Sequence, residues 1–543
     1  MFIRTKRVLQ NGRIYEYLLI VESTRTAKGP RQKTIANLGR KDQLEPDALD
    51  KLVRSMAPLA QGTVIFNPTE ATEGYRGSRV LGPLPVFKRL FEDLGIGPLL
   101  RQAEMAMPLD HAVLAMVASR LMEPASKLRT FEDWLPEVYF PPFAELKLHH
   151  FYRALDLLAE RKDALEKMLW DRTRSLFDPT VDLVLVDTTN TYVEGDTIGD
   201  LAQFGKSKEG RYNKRLLSIG TLVSKDGIPI GHEVFAGNLH DTRAFTKLIE
   251  SLQKRFLLGK VMLCADRGMV STGILADLRK EGIPYVVGSR LTREAEAAIS
   301  DRAGIWQELK DFPDLCIKPY VTEDGEAYVV CLNKVRAAYE KTRRREIVAR
   351  LRALLKKNPS GSALLKNTFY RPYVRLDGKL VSLDQEALRR QQRYDGKYVL
   401  RSHSQLTPEE IYRAYRQLAQ VERVFRTVKG PLRLRPVRHF VGRRIRGHVM
   451  VCFLAYALEM ALCQAMGRGE GLLSGDLLDE HAFAETMRDL KRVTVATVAT
   501  STGTYEIRSP LEGKAFQAYR SVSLRPPPQL ISGPLTPPAR DVV

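Results

Sequence analysis

Cysteine is scarce in this chain. Its five residues (Cys264, Cys316, Cys331, Cys452 and Cys463) are scattered, odd in number and without CxxC spacing. That pattern excludes a zinc ribbon or a disulfide framework and fits reduced thiols in a cytoplasmic protein. No charged-then-apolar leader opens the sequence, so a secretory signal is not expected. Long apolar runs are missing too. The longest, Val449 to Ala461, is broken by Glu459 and falls short of the ~20 residues that a membrane span needs. It reads as a core helix, and no membrane partner is expected. Acidic residues are outnumbered, 64 Asp and Glu against 85 Lys and Arg in 543 residues, for a net charge of +21. Such an excess favours a polyanionic partner, because each neutralised phosphate releases condensed counterions. The length allows three or four domains of ~150 residues.

Residues 1–70 look β-rich: Arg7 to Gln10 and Arg13 to Tyr17 flank Asn11-Gly12, a two-residue hairpin signal. Residues 80–177 read as helices, among them Val86 to Leu94 and His111 to Leu121, forming a packing domain or one that binds DNA ends. From 178 to 290 the period changes. Val181 to Asp187 is nearly all apolar, as a strand buried on both faces must be. Strands at Leu216 to Val223, Pro229 to Phe235, Val261 to Asp266 and Tyr285 to Gly288 alternate with helices at Asp241 to Phe256 and Ser271 to Lys280. This predicts an α/β fold, a mixed sheet with flanking helices. Residues 291–400 break the pattern with short strand-like pieces and a basic helix from Lys334 to Lys357, and read as an insertion domain. Residues 401–500 read as the helical remainder of the core. The segment 501–543 ends in a stretch with six prolines between Pro526 and Pro538, expected to be a disordered tail.

Three acids stand out. Asp187 and Asp266 each end a buried strand. If those strands are parallel neighbours, both carboxylates emerge at the carboxyl edge of the sheet, where open α/β sheets place ligands. Glu422 lies on a helix that Thr407, Pro408 and Glu410 start with a capping box and Gly430-Pro431 stops. Ile411, Ala414, Leu418, Val421, Phe425 and Val428 form its apolar stripe, and Glu422 sits about 100° from Val421, at the edge of the packed face. Tyr415, Arg426 and Lys429 share its second stripe. Two carboxylates ~4 Å apart repel by about 4 kcal/mol at an effective dielectric of ~20, so three of them converging make sense only around cations. Each acid alone has a plainer reading: a strand-end cap for either Asp, and a surface ion pair to Arg426 for Glu422.

The phrases Val186-Asp187-Thr188-Thr189, Ala265-Asp266-Arg267-Gly268 and Val421-Glu422-Arg423-Val424-Phe425-Arg426, in that order, resemble the DDE transposases of bacterial insertion sequences. The trailing Leu434-Arg435-Pro436-Val437-Arg438-His439 and Arg446-Gly447-His448-Val449 resemble the same family, and Arg120 to Leu128 does so more weakly. One branch carries a Tyr-x2-Arg-x3-Glu-x6-Lys signature, written here Tyr415-x2-Leu418-x3-Glu422-x6-Lys429. Leu418 stands where that branch has arginine, and Arg426 offers the charge instead. The resemblance implies an RNase H-like core interrupted by an insertion domain. It also implies Asp187, Asp266 and Glu422 as ligands of two Mg2+ ions, with Mn2+ able to substitute. The implied partners are double-stranded DNA, both the element's terminal inverted repeats and the target, bound by a homodimer in the synaptic complex. The implied reaction is strand cleavage followed by strand transfer. A nuclease of the same core that does not join strands, and a silent DNA-binding regulator, stay open as alternatives.

Phosphate contacts are expected from Tyr415, Arg426 and Lys429. Further ones are expected from Arg433, Arg435 and Arg438 in the acid-free stretch 430–447, and from Lys206 and Lys208 after the first acid. Trp306, in the insertion, reads as a core tryptophan or, by resemblance, as a platform for an unpaired base.

Overall fold

The computed structural model describes most of residues 2–535. Stretches of more than four residues left out are 56–73, 175–181, 256–260 and 468–479, together with the chain beyond 535. The chain divides into two units, one built from residues 1–80, 492–512 and 525–543, the other from 81–491 and 513–524.

In the first unit, β1 (Phe2–Gln10) and β2 (Arg13–Thr26) pair antiparallel with Gln10 opposite Arg13. The two-residue connection is the one expected, with Gly12 at φ 75 supplying the left-handed conformation; Asn11 lies outside the described residues. β3 (Gly29–Arg40) adds a third strand. β4 (Tyr75–Val80) belongs to a different sheet, whose other strands come from the far end of the chain.

The second unit opens with helices α1 (Pro83–Asp93), α2 (Leu109–Met122), α3 (Leu148–Glu160) and α4 (Lys162–Arg174). The sheet follows: β5 (Asp182–Tyr192), β6 (Leu216–Ser224) and β7 (Pro229–Ala236), then α5 (Asp241–Arg255), β8 (Val261–Ala265), α6 (Thr272–Lys280) and β9 (Tyr285–Gly288). The spatial order is β7-β6-β5-β8-β9; β5 to β7 are antiparallel, and β8 and β9 run parallel to β5. This is the RNase H-like mixed sheet. Val184, Val186, Leu263, Ala265, Val287 and Phe245 are buried together in its core.

Residues 291–400 interrupt this core as expected, but several of their strands extend it. β10 (Gln307–Leu309), β11 (Phe312–Val321) and β12 (Ala327–Asn333) join the same sheet. A long helix, α7 (Lys334–Lys357), follows with a two-stranded hairpin, β13 (Val374–Asp377) and β14 (Leu380–Leu383), and the two share a small core of Ile347, Leu351, Val374 and Val381. β15 (Lys397–His403) then returns to pair between β12 and β9, giving nine strands in all. The open edge of β9 accepts this addition through ordinary antiparallel pairing.

The expected single helix from 408 to 429 is two, α8 (Pro408–Arg416) and α9 (Leu418–Lys429), with the break at Gln417. The Thr407–Glu410 capping box forms as read from the sequence. α10 (Gly442–Gly467) is long and apolar enough to cross a membrane by length and composition, and 78% of its apolar window is buried inside the protein. It packs on α2 and α3. At its crossing with α3 only glycine fits, since a Cβ on Gly447 would collide with the carbonyl of Leu155.

Back in the first unit, β16 (Thr494–Thr500), β17 (Gly503–Arg508) and β18 (Leu530–Leu535) complete the sheet in the order β18-β17-β16-β4. The proline-rich stretch is therefore ordered at 530–535. Its place at a sheet edge explains how, because an edge strand tolerates a residue that cannot donate to the ladder. Residues 536–538 of that stretch lie outside the described residues.

Candidate active site

β5 and β8 run parallel with Val186 beside Ala265. Asp187 and Asp266, one residue further on in each, are thus level on neighbouring strands, which lie roughly 4.7–4.9 Å apart. Asp187 does not end its strand. β5 continues to Tyr192 because β6 keeps pairing with it along Thr188 to Tyr192, whereas β8 stops at Ala265. Asp187 is half-buried and Asp266 exposed. Burial pushes the Asp187 carboxyl up to about 6, and the charges of Asp266 and Asp241 push in the same direction. The Thr188 amide, which donates to Asp187 Oδ1 at 2.6 Å, and the nearby Lys208 ammonium oppose that rise.

Tyr415, at the end of α8, donates its hydroxyl to Asp266 Oδ1 at 3.1 Å. Burial and the Asp266 charge hold the phenol well above its ordinary value, so it meets the carboxylate as a neutral donor. Glu422 lies on α9, which packs against β5 while burying Val421, Val424 and Val428. Glu422 itself is exposed. Among the described residues no group of three His, Cys, Asp or Glu side chains is close enough to hold a metal. Asp187 and Asp266 are brought together, and Glu422 is not brought into a common cluster with them.

Two groups beside Asp187 were not singled out in the sequence. Thr188 Oγ1 donates to Asp241 Oδ1 at 2.8 Å, and Lys208 Nζ bridges the Thr188 carbonyl (2.9 Å) and Asp241 Oδ2 (3.4 Å). Asp241 opens α5, where an acid is ordinary for its favourable interaction with the helix dipole, so its spacing gave no signal. Lys208, expected on DNA, is thus already engaged next to the first carboxylate. Lys206 is exposed.

The break at Gln417 separates Tyr415 from the stripe it was to share with Glu422, Arg426 and Lys429. Arg426 is exposed and Lys429 half-buried on α9. Beyond α9, Arg433 is exposed with Nη1 3.4 Å from the Pro124 carbonyl, Arg435 is half-buried, and Arg438 pairs with Glu194 at 3.0 Å. Trp306 is 37% exposed, with Lys318 and Lys397 ammonium groups 5.6 and 6.0 Å from its ring centre, so it is not a core residue.

Residues 180–458, just over half of the chain, match the family model described as transposase DDE domain. Residues 3–67 match that described as IS1634 family transposase, N-terminal domain. A search of the curated proteins finds no match. With the catalytic-domain match covering the mixed sheet, both aspartates and Glu422, and the second match covering the N-terminal strands, the chain belongs to the DDE transposases of insertion sequences.

Proposed function

We propose that this transposase binds the terminal inverted repeats of its own element in duplex DNA, cuts there, and joins the released end to target DNA. In the first displacement the oxygen of water attacks the phosphorus at the element end, and the 3′ oxygen leaves as a hydroxyl. In the second, that hydroxyl attacks a target phosphorus, the new ester bond replaces the target's own P–O3′ bond, and the target 3′ oxygen leaves as a hydroxyl. The single observation that carries this reading is the level pair Asp187 and Asp266, one of them costly to ionise where it stands.

The donor set suits divalent cations: hard oxygen ligands on adjacent strands, with the protonation of Asp187 favoured until a positive charge arrives. Asp187 and Asp266 would hold two Mg2+ (or Mn2+), with Glu422 joining them on loading. Bound there, the ions would supply Lewis-acid stabilisation and an activated water. Tyr415 fixes the Asp266 rotamer. Lys208 ties Thr188 to Asp241 and so limits the negative charge felt by Asp187. Arg426 and Lys429 would position phosphate, and synapsis of two ends would make the working form a homodimer in the bacterial cytoplasm, at the nucleoid.

The test uses purified protein and labelled end DNA. Asp187→Ala, Asp266→Ala and Glu422→Ala are each expected to retain end binding and lose metal-dependent nicking. Wild-type nicking by any one of them removes that residue from the site. A strand-transfer product with unlabelled target separates this reading from a nuclease that only cuts.

A further inference from the structure

A second site of unbalanced charge lies in the same unit. A cleft of about 1400 Å3 opens between the segment 120–152 and the segment 433–448, larger than the roughly 300–1,000 Å3 of an ordinary small-molecule pocket. Two of the cations that line it are almost fully buried, Arg120 at 6% and Lys127 at 4% exposure. Burying such charges without a counter-ion costs several kcal/mol each even after relaxation.

Neither has an anionic partner among the described residues. Arg120 Nη1 donates to the carbonyls of Leu432 (3.3 Å) and Arg433 (3.0 Å). Lys127 Nζ lies 2.8 Å from His448 Nδ1. His448 Nε2 is 3.1 Å from the Leu434 carbonyl, which can only accept. The imidazole proton is therefore on Nε2, and Nδ1 accepts from the ammonium. Among the described residues this is the one hydrogen bond of the ammonium, and Lys127 is among the residues that line the cleft. Burial, then the Arg120 charge, holds Lys127 well below its ordinary pKa; burial, then Lys127 and Arg120, holds His439 down at about 3. The carboxylates on the lining, such as Glu132, Asp133 and Glu137, are exposed and pair with neither buried cation.

The cleft is tied to the catalytic strand. The loop that forms its wall follows α9 directly, and Val437 bridges Val193 just beyond the end of β5, with the Glu194 amide donating to the Val437 carbonyl at 3.0 Å. Val193 is six residues past Asp187 along an extended chain, roughly 20 Å. Arg433 carries positive charge onto the rim, where Arg438 and Arg444 pair with Glu194 and Asp156.

We propose that Arg120 and Lys127 form a phosphate-binding site that grips the backbone of end DNA away from the cut. This rests on the reading that the protein acts on DNA, but not on the metal-binding role of the carboxylates. The ligand is a phosphodiester, and the contact is independent of base sequence.

The test measures binding of full-length protein to a labelled duplex in EDTA across a salt series. Lys127→Met is expected to weaken binding about tenfold for end and unrelated duplexes alike, and to lower the slope of log affinity against log salt by about one. Its thermal midpoint without DNA should equal or exceed wild type, because a charge without a counter-ion has been removed; a purely structural lysine would lower it. Unchanged affinity and slope in folded Lys127→Met overturns the proposal. Should that variant not fold, phosphate ethylation interference with wild-type protein decides: interference at phosphates away from the nicked bond is expected, and its absence overturns the site. Pyrophosphate is the competing source of the same chemistry. Loss of pyrophosphate binding in Lys127→Met with DNA binding intact would assign the site to free phosphates and overturn the proposal. Asp187→Ala binds normally in this assay if the cleft works as described, so failure of the catalytic reading appears in nicking alone.

Discussion

The aspartate edge and the basic cleft are opposite solutions to one physical problem. At the edge, Asp187 and Asp266 stand level, with Asp241 nearby, and burial first, then the charges of those two acids, makes Asp187 resist ionising. In the cleft, Arg120 and Lys127 are buried against neutral carbonyls and a neutral imidazole, so Lys127 resists protonation. A folded chain keeps such charges only at a cost in stability. The sign of each imbalance names the missing partner: divalent cations at one site, backbone phosphates at the other. The difference lies in support. The edge rests on strands of the central sheet, whereas the cleft is closed by a loop, 430–441, clamped to α2 through the Arg120 guanidinium.

The comparison breaks most sharply in activity. Alanine at Asp187 or Asp266 is expected to lower the nicking rate by about a thousandfold or more, the several kcal/mol that charge stabilisation by bound metal contributes. Lys127→Met should leave single-turnover nicking at saturating protein within a few-fold of wild type. Equal losses in both would merge the two sites into one. Next in size is stability. Asp187 titrates at about 6 in the fold against an ordinary 3.8, so the folded state holds the proton more tightly than the unfolded one. Its contribution is fully present below about pH 4 and is lost as pH rises through 6. Metal-free Asp187→Asn should therefore be more stable than wild type by about 1–3 kcal/mol above about pH 7, because a tenfold change in proton affinity corresponds to ~1.4 kcal/mol. The gain should vanish below about pH 4. Denaturant melts at the two pH values read this directly, and a pH-independent difference would contradict it. The smallest effect is expected from Tyr415→Phe, which removes one hydrogen bond to Asp266 of about 1 kcal/mol. Nicking should fall several-fold with DNA affinity unchanged, and loss of affinity instead would make Tyr415 a phosphate ligand.

Much of the aspartate edge was legible in the sequence because its determinants are local. An apolar run such as Leu183 to Val186 marks a strand buried on both faces, and an acid after it stands out against that burial. The Thr407–Glu410 box marked its helix start for the same reason. What stayed hidden depends on pairing across long separations. The continuation of β5 past Asp187 is set by β6, the break at Gln417 alters which residues sit with Tyr415, and the return of β15 to β9 turns the insertion into more of the same sheet. The cleft was the least legible part. Lys127 meets His448 across 321 residues, and nothing in the phrase around Lys127 tells a buried cation from a solvated one. Composition misled at the C-terminus, where proline at 534 still sits in an edge strand.

The central claim is that the aspartate edge is a cation site completed by Glu422. Calorimetric titration of Mn2+ into the protein bound to end DNA tests it most directly. Wild type should take up the metal with an affinity that rises with pH through about 6, as Asp187 gives up its proton, and Asp187→Ala, Asp266→Ala and Glu422→Ala should each lose that binding. Uptake at wild-type strength by all three variants would contradict the account.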